Sequence, residues 1–405
     1  MSSVTIKDSI ELPCGVFIRN RVAKAAMTER LANSNNHATD SLVRLYNHWS
    51  NHGAGLLISG NIMVDKRYKE SAGNIVLEDE SGIEHLKKMT EVGTQNDTQF
   101  WAQISHPGRQ AAIFTTWAPI APSAVKLKKF MLFATPKAMT IDQIKDVEQR
   151  FINTALLCKK AGFTGVQIHS AHGYLLSQFL APNTNKRDDE YGGSIQNRSR
   201  LLIDIVKGVR DKLGSNYPIS VKLNSADFQR GGFSENDSLY VIKELEKIGI
   251  DLLEISGGTY ENITFLTKRF ERESTKQREA YFMDFANKIR NETNLLLMIT
   301  GGFRSHAFCN EVLENSELDM IGLARPFLND SDFPRSFLSN PSAKIKDAEF
   351  NISIRQLKDF AEAGFYDYQI DRLAQNKLLY PTYNPYLAVV RLVKNEIKKG
   401  WFKWN

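Results

Sequence analysis

The feature that most constrains this chain is a repeated alternation. Eight short apolar runs, many rich in β-branched residues, stand at Arg21–Met27 (RVAKAAM), Gly55–Met63 (GLLISGNIM), Phe100–Ser105 (FWAQIS), Gly165–His169 (GVQIH), Ile219–Asn224 (ISVKLN), Leu252–Ser256 (LLEIS), Leu295–Thr300 (LLLMIT) and Asp319–Leu323 (DMIGL). Strands buried on both faces read in this continuous way rather than as alternation, and burial on both faces is the mark of parallel sheets. Between them lie longer amphipathic segments. Ile144–Lys160, Asn197–Leu213 and Asp237–Ile248 carry apolar residues at helical spacing, and Gly162, Gly214 and Gly249 stand just past their ends, as helix stop signals do. Parallel strands need crossover connections, and those run right-handed. Eight strand–helix units therefore predict an α/β chain closed into a single (β/α)8 TIM barrel. The rival, a doubly wound open sheet, lacks its Gly-x-Gly-x-x-Gly fingerprint after a first strand. The barrel is expected over 1–335, and a helical, aromatic extension over 336–405.

Two segments exceed that plan. From His106 to Thr140 the connection is long and holds Pro107, Pro119, Pro122 and Pro136 with the basic run KLKKF, so a lid-like insertion over the barrel mouth is expected rather than a structureless loop. Beyond Pro326 the chain reads as helical around Ile354–Gln375 and then becomes basic and aromatic, ending KKGWFKWN. That end is expected to pack on the barrel or on a second copy in a homo-oligomer; lying on a membrane surface is the less favoured reading.

Composition excludes several classes. Hydrophobic residues make up 42% and charged residues 24%, so a large core is available. The net charge of +6 helps attract an anionic ligand, but no dense basic block marks a nucleic-acid surface. Cys14, Cys158 and Cys309 are too few and too scattered for a disulfide framework or an iron–sulfur centre. The N-terminal stretch has no apolar signal region, and no run is long enough to span a bilayer. A cytoplasmic protein in a reducing compartment is the expectation, and the triplets at Asn262 and Asn351 are then chance matches to a glycosylation signal.

In such a barrel the reacting groups come from the C-terminal ends of the strands. Those ends supply Ala26, Met27 and Thr28, then Gly60, Gln103 and His169, then Lys222, Gly301, Gly302 and Phe303, and finally Ala324 and Arg325. This ring of small, amide, imidazole and cationic groups suits a flat, polar, anionic ring system, and no serine–histidine–acid constellation is visible.

The segments NRVAKAAMTE, AQISHPGRQ, VKLNSADF and IGLARPFL, with IHSAHGYLLSQFLAPNTNKRDDEYGGSIQNRSR over Ile168–Arg200, together resemble the old yellow enzyme family of FMN-dependent ene-reductases. The resemblance runs over roughly residues 5–335, and the histidine–tyrosine stretch is its most specific part. It implies non-covalent FMN, NADH or NADPH as reductant, and a small-molecule substrate. By resemblance Thr28 hydrogen-bonds the flavin C4 carbonyl, Gln103 reads the pyrimidine edge and Lys222 stands beside N1 and O2. Gly301, Gly302, Phe303, Ala324 and Arg325 cradle the phosphate with backbone N–H groups and a guanidinium. His169 and His172 match the pair that binds the oxygen of an activating carbonyl or nitro group, and Tyr174 matches the proton donor.

There are departures. Ala26 stands where proline is common, and Glu29 and Arg30 stand where many relatives shape the substrate pocket, so substrate range does not transfer. Relatives that reduce dienoyl-CoA carry a cysteine cluster and a second dinucleotide domain, for which this chain has neither the cysteines nor the length. Bland readings stand beside these roles. His169 and His172 could be a metal pair, although no third ligand is evident, or structural histidines. Tyr174 could cap the barrel mouth, and Lys222 could serve in a plain ion pair. Arg187, Asp188, Glu190, Arg198 and Arg200 read as a salt-bridged, capped loop that positions the next helix. The alternative function is a flavin-binding NAD(P)H oxidase, quinone reductase or sensing module without ene-reductase turnover.

Overall fold

The structure, a computed structural model, describes residues 4–127, 132–256, 275–345, 348, 352–353 and 357–400, with backbone alone over 275–282. Residues 128–130 of the basic run, the triplet at Asn262, Asn351 of the second triplet, residues 354–356 and the last five positions lie outside the described residues. Eight strands run parallel: β1 (Val22–Lys24), β2 (Leu56–Met63), β3 (Gln99–Ser105), β4 (Gly165–Ser170), β5 (Ile219–Asn224), β6 (Leu252–Ser256), β7 (Leu297–Thr300) and β8 (Met320–Leu323). β1 pairs with both β8 and β2, so the sheet closes on itself as a (β/α)8 barrel. β1 is shorter than its apolar run: pairing stops at Lys24, so Ala26–Thr28 project beyond the sheet at the barrel mouth. β7 begins at Leu297 rather than Leu295, and β8 at Met320 rather than Asp319. Apolarity set the expected bounds, whereas hydrogen-bond register sets the observed ones.

Three crossover helices begin before their expected starts at Ile144, Asn197 and Asp237. Ile141–Lys160 starts at a capping box in which the Thr140 side chain accepts from the Gln143 backbone and the Gln143 side chain accepts from the backbone of Thr140. Ser194 and Ser234 cap Ile195–Leu213 and Glu235–Ile248 in the same way at the hydroxyl. The insertion after β3 holds a 3-10 turn at Gly108–Gln110 and a two-stranded parallel sheet pairing Ile120–Ala121 with Lys137–Ala138.

The lower end of the barrel is plugged. A hairpin of Ile10–Glu11 and Phe17–Ile18 sends Ile10, Leu12 and Ile18 against Ala23, Leu56, Ile58, Trp101, Leu252, Met298 and Met320. Each large buried side chain there contributes about 1.5–3 kcal/mol. The plug leaves the opposite, C-terminal end for polar groups.

After β8, helix Lys358–Ala374 packs on helix Asp40–Asn51, where the Arg44 guanidinium donates to the Ala374 carbonyl at 2.7 Å. Helix Pro385–Gly400 packs on Lys358–Ala374 and reaches the segment after β1. There Arg30 pairs with Glu396 at 3.0 Å, and Glu396 also accepts from the Ala72 backbone at 2.9 Å. Burial pushes the Glu396 carboxyl above its usual range, and the Arg30 guanidinium opposes that shift.

Candidate active site

The predicted residues gather at the open end of the barrel. Lys222, on β5, is buried and pairs with Glu254, on β6, at 2.7 Å. Glu254 is fully buried and takes two further hydrogen bonds, from Thr300 Oγ1 at 2.5 Å and from Gln167 Nε2 at 2.8 Å. Gln167 Oε1 accepts in turn from Gln103 Nε2 at 2.7 Å. A carboxylate only accepts, so Gln167 must present its amide nitrogen to Glu254 and its oxygen to Gln103. This chain fixes one N–H of Gln103 inward and ties the amide of β3 to the cation of β5 through a single buried acid.

His169 is the penultimate residue of β4, and a left-handed turn at His172 (φ 61°) and Gly173 (φ 75°) follows. A non-glycine residue in that region is uncommon, and His172 is held there from both sides. Its N–H donates to Asn224 Oδ1 at 3.2 Å, and its carbonyl accepts from Gln110 Nε2 at 2.9 Å. The turn brings His172 Nδ1 to 3.2 Å from His169 Nε2, with the ring centroids 5.3 Å apart. The Tyr174 ring lies edge-on to His169 at 4.8 Å. Burial, then the neighbouring His172 and Lys222, hold His169 well below the usual imidazole range, and burial followed by Lys222 takes His172 down to about 3. Both rings are therefore neutral at ordinary pH.

Sequence reasoning missed the residues that orient this pair. Asn61 Oδ1 faces His169 Nδ1 at 3.0 Å, Ser105 Oγ lies 3.3 Å from the same nitrogen, and Ser256 Oγ lies 2.6 Å from His172 Nε2. One signal was available for Asn61. It follows Gly60 within a strand, and a strand glycine often marks a bulge. The β2–β3 register shifts between Ile58 and Asn61, and bulges re-aim side chains next to active sites. Gly60 itself is demanded by packing: a Cβ there would lie 2.0 Å from Glu29 Oε2 and 2.4 Å from the Met27 carbonyl oxygen.

Met27, Thr28, Glu70, Ala324 and Arg325 line a cavity of 470 Å³ whose outer wall is Phe360, Tyr366 and Ile370 of helix Lys358–Ala374 and Leu392 of helix Pro385–Gly400. Arg325 Nη1 donates to Glu362 at 2.8 Å on that same wall. Gly301 and Gly302 follow β7 with φ of 91° and 92°, and a Cβ added at Gly301 would meet open space. In the loop after β4 the carboxylate that pairs with Arg187 is Asp189 rather than Asp188; Arg198 pairs with Asp237, and Arg200 donates to the Glu190 carbonyl. Among the described residues no group of three or more His, Cys, Asp or Glu side chains could hold a metal ion.

Residues 12–340 match the model of the NADH:flavin oxidoreductase / NADH oxidase family. The chain belongs to that family. It is 32% identical over 364 residues to the NADH-dependent flavin oxidoreductase iliE of Hypocrea jecorina, covering 84% of this chain and 90% of the relative. It is 34% identical over 324 residues to the NADH-dependent flavin oxidoreductase nadA of Aspergillus parasiticus, covering 76% and 72%. In fold it is similar to morphinone reductase, with a TM-score of 0.71 at 22% identity over 85% of this chain and 92% of that one. An old yellow enzyme homologue from Zymomonas mobilis superposes with a TM-score of 0.70 at 23% identity, covering 84% and 94%.

As a member of this family the chain is an FMN-dependent NAD(P)H oxidoreductase. The donor set at the barrel mouth fits that cofactor. Gly301 and Gly302 turn at positive φ after β7, with the Gly301 N–H donating to the Gly322 carbonyl at 3.1 Å, a guanidinium lies on the adjoining loop, and an amide on β3 and a buried cation on β5 stand towards the same end of the barrel. Among the described residues no helix is long and apolar enough to cross a membrane.

Proposed function

We propose that this enzyme reduces activated alkenes, namely α,β-unsaturated carbonyl or nitro compounds, with Tyr174 as the proton donor. The observation that carries the reading is the convergence of His169, His172 and Tyr174 on one turn after β4, at ring separations of 5.3 and 4.8 Å around His169. Lys222, Gln103 and Thr28 are assigned to the isoalloxazine, with Ala26, Met27 and Gly60 beside them. Gly301, Gly302, Phe303, Ala324 and Arg325 are assigned to the phosphate. FMN, when bound, supplies the chemistry of taking hydride from NAD(P)H and passing it to an electron-poor carbon. The chain's own residues do the rest. The imidazole pair binds the substrate's carbonyl or nitro oxygen, where negative charge grows, and so orients the alkene. The Tyr174 hydroxyl delivers a proton to the carbon next to the activating group, and the burial of His169 and Tyr174, beside a half-buried His172, limits access of water.

Tyr174→Phe tests this by rapid mixing of the two half-reactions. Flavin reduction by NAD(P)H should stay within a few-fold of the parent. Reoxidation by an enone such as cyclohexenone should slow by roughly 10²–10⁴-fold, the usual worth of a placed general acid. Oxygen or a quinone, which need no carbon protonation, should reoxidise the variant at near-parental rates. If the parent is reoxidised by oxygen and quinones but by no enone or nitroalkene, the oxidase or quinone-reductase reading replaces this one.

A further inference from the structure

We propose that Lys24 and Glu29 are positioning residues of this site. Where β1 leaves the sheet, their side chains replace the lost rungs between β1 and β2, and so hold the β2 bulge that sets Asn61 against His169.

The pairing pattern creates the need. β1 and β2 are joined only at Ala23–Leu56 and Lys24–Leu57. From Ile58 to Asn61 the edge of β2 that faces β1 has no strand partner, and on the other edge the register with β3 skips Ser59 and Gly60. Buried backbone groups left out of a ladder must find other partners. The Ile58 carbonyl accepts from Lys24 Nζ at 2.8 Å, and the Gly60 N–H donates to Glu29 Oε1 at 2.8 Å. The Gly60 carbonyl accepts from Ser59 Oγ at 2.8 Å, and that hydroxyl in turn accepts from the Gln103 N–H at 3.0 Å. Two side chains from the β1 segment thus close the gap that the ladder leaves open.

Both side chains are fixed in place. Lys24 is fully buried; its Nζ also donates to the Ala25 carbonyl at 3.2 Å and lies 4.4 Å from the Trp49 ring centroid and 5.5 Å from that of Tyr46, both on helix Asp40–Asn51. Glu29 is buried, and its Oε1 accepts from the Tyr46 hydroxyl as well. Burial, then the Glu29 charge, holds the Tyr46 phenol well above its usual range, so it keeps its hydrogen and donates. The sequence placed Glu29 among the residues that shape the substrate pocket. In the structure Thr28 and Arg30 line the cavity, while Glu29 between them turns in between β2 and helix Asp40–Asn51. A buried charge is costly unless hydrogen-bonded. A shift of Ile58 or Gly60 would take hydrogen bonds from two buried charges at once, so the bulge has one stable shape. Asn61 follows Gly60 directly, and that shape brings its Oδ1 to 3.0 Å from His169 Nδ1.

The consequence for substrate rests on the reading of His169 and His172 as the pair that binds the substrate's oxygen. Rapid mixing of the reduced, FMN-loaded protein with cyclohexenone gives the half-saturating concentration for reoxidation. Glu29→Met removes the acceptor for Gly60 and should raise that concentration roughly five- to tenfold, the worth of one hydrogen bond, with FMN retained and reoxidation by oxygen at the parental rate. Glu29→Gln keeps an oxygen for the Gly60 N–H and should restore most of the loss. In an Asn61→Ala background Glu29→Met should add nothing, because the effect travels through Asn61. A Glu29→Met variant that lowers only the denaturation midpoint overturns the proposal, and so does an equal loss in the Asn61→Ala background. Should Glu29→Met not fold, Lys24→Met makes the same comparison from the other rung. Hydrogen exchange resolved to single amides judges the parent directly: Gly60 should exchange slowly despite having no strand partner, and fast exchange there overturns the proposal whatever the variants do. A parent that no enone reoxidises refutes the ene-reductase reading instead. The Gly60 amide then decides for the rungs, which stand if its slow exchange is lost in Glu29→Met and fall if it is not.

Discussion

Changing Glu254 to glutamine removes one charge and almost no volume from the middle of the barrel. The structure sets the size of the effect. The acid is fully buried and its partner Lys222 is 5% exposed, at 2.7 Å. At an effective dielectric of about 20 the attraction at that distance is roughly 6 kcal/mol, much of it offset by the cost of burying two ions. Removing one partner keeps the burial cost of the other. Lys222 would then be a buried cation facing a neutral amide, and Gln167 and Thr300, which both donate to Glu254, would compete for one oxygen. A loss of about 3–5 kcal/mol is expected. Urea unfolding of the FMN-free protein, followed by tryptophan fluorescence, measures it for Glu254→Gln, Lys222→Met and the double change Lys222→Met/Glu254→Leu. The double variant should lose clearly less than the sum of the singles, because no unpaired charge remains. With FMN bound, Glu254→Gln should raise the flavin midpoint potential, since it leaves the Lys222 charge uncompensated. A Glu254→Gln variant within about 1 kcal/mol of the parent would refute the reasoning. Strictly additive losses in the double variant would do the same.

Arg325→Ala should weaken FMN retention by roughly ten- to hundredfold, the worth of a charge-assisted contact, in a direct titration of the FMN-free protein. Glu362→Gln should tighten it, because the carboxylate now 2.8 Å from the guanidinium competes for it; unchanged affinity in both variants would remove Arg325 from the phosphate site. Burial pushes the His106 imidazole down to about 4. The unfolded chain therefore binds the extra proton between pH 6.5 and 4, and stability should fall as pH drops through that window, by about 3 kcal/mol from this group. His169 and His172 add to the same trend. His106→Asn retains an acceptor for the Gly108 N–H and should show a shallower loss over that window in denaturation midpoints; parallel profiles would exclude His106 as a source.

Part of the site is legible in the sequence because local pattern carries it. His169, His172 and Tyr174 fall within six residues at a strand end, so one turn is enough to bring them together. Lys222 is visible as a cation at a strand end, but its partner is not. Glu254 looks like any strand acid until β5 and β6 pair in register, Lys222 opposite Glu254. Asn61 and Glu70 sit in a strand and a loop whose composition says nothing of catalysis. Only the bulge in β2 and the path of the following loop bring them to Thr28 and His169.

The sequence by itself determined the barrel. Eight doubly apolar strands separated by capped amphipathic helices have few other ways to bury both faces of a parallel sheet. It also determined which chemical types stand at the strand ends, because strand phase dictates that locally. Tertiary structure alone decided which polar groups meet: which acid neutralises Lys222, which amide lies against His169, and which C-terminal helices wall the cavity. The physical reason is range. Periodicity and caps act over a few residues, whereas a hydrogen-bond partner is chosen by distances of about 3 Å between atoms that lie, for His169 and Asn61, 108 positions apart in the chain.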